Sequence, residues 1–155
     1  MAWSFTWLET KIPPPLVTLV AILSVWFSRG VCSFAPHPVS TSIALVCLIV
    51  ALVLFVAALW QFRQAKTTVN PLKPSSTSFL ITCGVFSISR NPIYLADVIL
   101  VAAFSIYCLA PFGVISITLL VLYLNRFQIE VEEGALKYRF GDKFEIYCSK
   151  VGRWV

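Results

Sequence analysis

The chain predicts an all-α fold, a bundle of about four membrane-spanning helices closed at one end by a short helical cap. Three observations carry this. Of 155 residues, 59% are hydrophobic and only 12% charged, whereas a soluble domain is about half apolar and about a quarter charged. The mean hydropathy is +0.86. The apolar residues are gathered into long runs, and the charges are gathered between and after them. So few charges cannot cover a water-facing surface for a chain of this size.

The first apolar run extends from about Pro13 to Ser28, and Pro13-Pro14-Pro15 suits a helix start. It is short for a span of about 20 residues, so Trp3 and Trp7 are expected to help at the interface. Glu9, Lys11 and three prolines precede or open it, and Ser33-Phe34-Ala35 is followed by Pro36. Those features make a poor cleavage site, and the run is expected to be a retained helix. The second run, Val39 to Phe62, is long enough to cross with some tilt.

A polar segment from Arg63 to Arg90 follows, with Pro71 and the stretch Pro74-Ser75-Ser76-Thr77-Ser78. It is too long for a turn and marks a working loop. The third stretch, Pro92 to Asn125, reads as one kinked helix or as a hairpin broken at Ala110-Pro111-Phe112-Gly113. Charge placement favours the hairpin. Eleven of the twelve Lys/Arg residues fall in the N-terminus, the 63–90 segment or the tail from Arg126, leaving only Arg29 apart. A hairpin puts those three regions on one side and satisfies the positive-inside rule, with both termini cytoplasmic. The tail, Ile129 to Val155, mixes charges with Leu136, Tyr138, Phe140, Phe144, Ile146 and Tyr147. Two short helices punctuated by Gly141-Asp142 fit it, with Glu133 and Lys137 spaced as an i,i+4 pair.

Several functions are disfavoured at this point. Five cysteines at 32, 47, 83, 108 and 148 include no CxxC pair, and the lone His37 lies between prolines, so no metal centre is expected. The net charge of +5 lacks the aromatic-basic interleaving of a nucleic-acid module; anionic lipid headgroups are the expected partner. No internal repeat suggests an inverted-repeat transporter.

The residues with chemical potential fall at the cytoplasmic ends of the runs. Asn91 is placed to cap the helix that Pro92 opens. That helix start, beside Arg90, makes an anion site, and Glu130, Glu132 and Glu133 supply the opposite charge. A zwitterionic ligand suits the pair of regions. Asp97 is the one acid expected inside a span, where it would pair with Arg90 or reach water.

From about Thr77 to Arg153 the sequence resembles the isoprenylcysteine carboxyl methyltransferases and the phospholipid methyltransferase type of membrane enzyme. The resemblance rests on Leu80-Ile81-Thr82-Cys83-Gly84-Val85-Phe86, Arg90-Asn91-Pro92-Ile93-Tyr94, Glu132-Glu133, Phe140-Gly141, Tyr147 and Val151-Gly152-Arg153, in family order and spacing. Asn91 replaces the usual His, and Phe86 and Phe144 replace Tyr; the first change weakens the inference of a prenylated-protein substrate, and the expected acceptor is an isoprenylcysteine-like carboxylate or another lipid-like oxygen or nitrogen nucleophile.

The resemblance implies one membrane methyltransferase domain over residues 1–155, with a cofactor-binding core over 77–155. It implies S-adenosylmethionine as cofactor, held by Thr82, Gly84, Val85, Arg90, Asn91, Pro92 and Tyr94. Glu132, Glu133, Tyr147 and Arg153 would close the pocket. Arg90, Glu133 and Arg126 stand where the family's reactive groups lie. It also implies a lipophilic acceptor arriving from the bilayer. A carboxylate acceptor needs no base, while an amine requires one, such as Glu133 or Asp97. A small transporter subunit and a non-catalytic scaffold of the same fold are the competing readings, and the sequence leaves the oligomeric state open.

Overall fold

The structure, a computed structural model, describes residues 12–31, 37–65 and 79–155. Trp3, Trp7, the 33–36 stretch and the Pro71–Thr77 part of the polar loop lie outside them. Within the described residues every regular element is helical: α1 (Pro14–Ser28), α2 (Pro38–Gln64), α3 (Pro92–Tyr107), α4 (Gly113–Leu124), α5 (Glu130–Phe140) and α6 (Asp142–Lys150), with a short 3-10 turn at Gly84–Ser87.

Prolines open three of the helices, as their fixed φ and missing N–H favour. His37 sits at the cap of α2, its Nδ1 accepting from the Val39 N–H at 3.3 Å. α2 packs against α3 through small residues. Ser40, Ala44, Ala51 and Ala58 are buried on one face of α2, and Ala96 and Ala103 are buried on α3. Small side chains let two apolar helices approach closely, which is how helices associate without a hydrophobic difference from lipid. Between its polar ends, the outward side of α2 is apolar; Val46, Val53 and Trp60 are about 60% exposed. Val25, Val101, Leu124 and Ile129 are fully buried where α1, α3 and α4 meet.

The hairpin expected at residues 110–113 forms. Leu109 takes φ 47°, and the Ala110 N–H returns to Ser105 O at 3.0 Å, reversing the chain into α4. One expected boundary is absent. The tail does not begin as a separate helix, because α4 runs on through a π-turn at Asn125–Ile129 into α5. The result is one rod from Gly113 to Phe140, 28 residues long, which with the 27-residue α2 is long and apolar enough to cross a bilayer. α1 and α3 are shorter, 15 and 16 residues.

The break at Gly141 forms as expected. The residue takes φ +50°, which glycine adopts at little cost. α6 then folds back, burying Phe144, Tyr147 and Val151 against Leu80, Leu136 and Phe140. Lys137 pairs across this bend with Glu145 at 2.8 Å, not with Glu133 as its i,i+4 spacing suggested. The fold-back brings Glu145 closer to Lys137, and Glu133 is taken by other partners.

Candidate active site

The loop before α3 is clamped to α2. Gly84 stands at φ +58° with the Gln61 side chain directly against it, so any Cβ there would overlap Gln61. In the amide orientation that satisfies both partners, Gln61 donates to Cys83 O at 3.1 Å and accepts from the Val85 N–H at 3.2 Å. Phe86 packs edge-on against Phe62 at 5.3 Å. From α6, the Tyr147 hydroxyl donates to Phe86 O at 2.6 Å. Burial pushes this phenol up to about 12 against the pull of Arg90, so it stays a donor at any working pH.

The C-terminal tail lies along the same loop. The Arg90 N–H donates to Gly152 O at 3.1 Å. Asn91 occupies the cap position of α3, but its side chain does not cap; it donates to Arg153 O at 2.9 Å. The expected capping role is therefore corrected: Ser89 Oγ accepts from the Asn91 N–H at 3.1 Å, and the asparagine amide is free to hold the tail.

These contacts converge on one carboxylate. Glu133 accepts from Arg153 Nη2 at 2.6 Å and Nε at 3.2 Å, and lies 3.2 Å from Arg90 Nη2. The Arg153 guanidinium is held more firmly protonated by its bonds to Glu133. Arg90 also contacts the Cys148 sulfur. Its buried Nε has no hydrogen-bond partner among the described residues. Glu132, next in the chain, turns to α3 and accepts from the Tyr94 hydroxyl at 2.5 Å.

A cavity of about 280 Å³ opens between these groups. Its polar wall is Arg90, Asn91, Tyr94, Asp97, Glu132, Glu133 and Tyr147; its apolar side includes Phe55, Leu59, Phe62 and Phe79 of α2 and the residues after it. Pro92 lines it too. Asp97 stands beside Thr18 of α1 and lines the same cavity.

Of the residues singled out from sequence, Arg90, Asn91, Pro92, Tyr94, Glu132, Glu133 and Tyr147 are brought together around this cavity. Arg153 grips Glu133 from behind. Thr82, Gly84 and Val85 build the loop but do not line the cavity; Thr82 and Gly84 are exposed. Arg126 points elsewhere and meets Glu130 at 3.4 Å, both about half exposed. Gln61, Cys148 and Asn125 join the network without having been singled out, and Trp154 joins it from the tail that carries Arg153; the two glutamines that end an apolar helix, Gln61 and Gln64, were the visible signal for the first.

No solved structure matches the chain. Over 62 residues it is 31% identical to an uncharacterized protein of Haemophilus influenzae, a stretch covering 40% of this chain and 98% of that protein. The family model described as phospholipid methyltransferase matches residues 39–143, from the start of α2 through Glu132 and Glu133. The chain therefore belongs to the phospholipid methyltransferase family of membrane methyltransferases.

Proposed function

We propose that the protein moves a methyl group from S-adenosylmethionine to an oxygen or nitrogen nucleophile on a lipid-like acceptor, at the cytoplasmic face of a membrane it crosses four times. The observation that carries this reading is the two-ended cavity, with fixed charge at one end and apolar α2 side chains at the other. The clustering of basic residues at the N-terminus, the loop and the tail supports both termini lying on the site's side.

The residues present fit the cofactor. Arg90 lines the cavity beside the start of α3, and its guanidinium supplies the positive charge that a ligand carboxylate would meet there. Glu132 and Glu133 offer acceptors for an ammonium and for ribose hydroxyls, and Phe86, Phe144 and Tyr147 offer flat apolar faces for a base. When bound, the cofactor supplies an electrophilic methyl whose bond to sulfur breaks as the bond to the nucleophile forms, leaving a neutral thioether.

The protein's part is alignment and exclusion of water. Arg90, pinned by Gly152 and Glu133, cannot swing away from the cavity. Glu133 has both oxygens engaged by arginines and serves to hold them, so the proton-accepting role expected of it passes to its neighbour. An amine acceptor must shed a proton, and Glu132, which lines the cavity and is held by the Tyr94 hydroxyl, is placed to take it. A carboxylate acceptor needs no such step.

Calorimetric titration of the detergent-solubilised chain with S-adenosylhomocysteine tests the reading. Saturable binding that is lost in Arg90→Ala supports it. Absence of binding by the wild type returns the protein to the class of non-catalytic scaffolds.

A further inference from the structure

The rod from Gly113 to Phe140 is not a continuous α-helix, because it widens to a π-turn at Asn125–Ile129. Each α-helical residue advances about 100° around the axis, and a π-turn takes one residue more. Everything after it is therefore turned by about that angle relative to an unbroken α-helix. What comes after it is the acidic pair. Glu132 and Glu133, as neighbours, point in different directions, and each must find its own wall: Tyr94 on α3 for the first, Arg90 and Arg153 for the second. Both fit only at one rotation of α5.

Two contacts hold the widened turn. The Trp154 indole N–H donates to Asn125 Oδ1 at 3.2 Å. On the other flank Gln128, fully buried, donates from Nε2 to Ile12 O at 2.9 Å, just ahead of α1. Trp154 belongs to the same tail that receives Arg90 and Asn91 on its carbonyls and sends Arg153 to Glu133. One short strap thus touches the helix start, the acidic pair and the turn that orients it.

We propose that Asn125, Gln128 and Trp154 are positioning residues, which hold the π-turn so that both carboxylates face the cavity. What the carboxylates then bind rests on the methyltransferase reading; the geometry itself does not.

The test uses the full chain in detergent, with two variants that lose the contact and one that keeps it. Trp154→Phe retains the ring without its N–H, Asn125→Leu removes the acceptor, and Asn125→Asp retains an oxygen. Loss of one part-buried hydrogen bond predicts about a tenfold weaker grip on S-adenosylhomocysteine in the first two and near-normal affinity in the third. The same two should exchange the backbone amides of residues 130–134 at least several times faster, with the thermal midpoint nearly unchanged. Their double variant should be little worse than either alone. Wild-type exchange and affinity in Trp154→Phe would overturn the proposal, as would affinity losses that track the thermal midpoint in all three. If the wild type binds no S-adenosylhomocysteine, the methyltransferase reading fails, and amide exchange alone decides this one.

Discussion

Two arginine–glutamate clusters lie close together at the charged end of the rod, and they differ in kind. Arg126 meets Glu130 one turn along the same helix at 3.4 Å, with both side chains 48% exposed. Glu133 is held by Arg90 and Arg153 at 3.2 and 2.6 Å, with exposures of 18%, 14% and 35%. The first pair is local and open to water, so its Coulomb gain is screened and small, roughly 0.3–0.5 kcal/mol. The second joins three separate segments, and each partner there depends on the others to offset lost hydration. In sequence both look alike: a basic residue set against an acidic stretch. Only the second borders the cavity.

The largest expected effect comes from breaking the inner cluster. Glu133→Ala strands two partly buried guanidiniums and is expected to cost on the order of 2–4 kcal/mol, read from chemical or thermal unfolding in detergent. It should also weaken S-adenosylhomocysteine at least about a hundredfold, since the arginine that faces the cavity loses its anchor. A variant that unfolds and binds as the wild type does would show the cluster to be ornamental.

The loop that carries Arg90 can be dislodged from a distance. Gly84→Ala puts a Cβ into Gln61 at a positive φ, with an expected loss of about 2 kcal/mol. The outer Arg126–Glu130 pair should not respond. A thermal midpoint equal to that of the wild type would mean that Gln61 moves aside freely.

Smallest of all, Arg126→Ala should move stability by less than about 0.5 kcal/mol and leave affinity within about twofold. A large loss in that variant would bring Arg126 into the site.

Much of this was legible in the sequence because it is local. Proline at helix starts, the break around Pro111 and the bend at Gly141 follow from backbone geometry and need no neighbour. The apolar runs reported a membrane fold by composition. The motif residues Arg90, Asn91, Tyr94, Glu132, Glu133 and Tyr147 were recognisable as a set, and the fold brings them to one cavity. Particular pairings were not legible. Spacing matched Glu133 with Lys137, yet α6 folds back to give Lys137 to Glu145. Asn91 stood at a cap position and spends its amide on the tail.

Composition and local signals were enough for an apolar helical bundle, for most of its helix starts and bends, and for the residues that carry the family's pattern. Packing between distant segments set which charges meet, which carboxylate is engaged by arginines and which faces a tyrosine, how far α5 is turned, and that α4 runs on into it. The physical reason is distance along the chain. Helix formation and turns are settled within a few residues, whereas a carboxylate's partner depends on the angle at which segments far apart in sequence are packed.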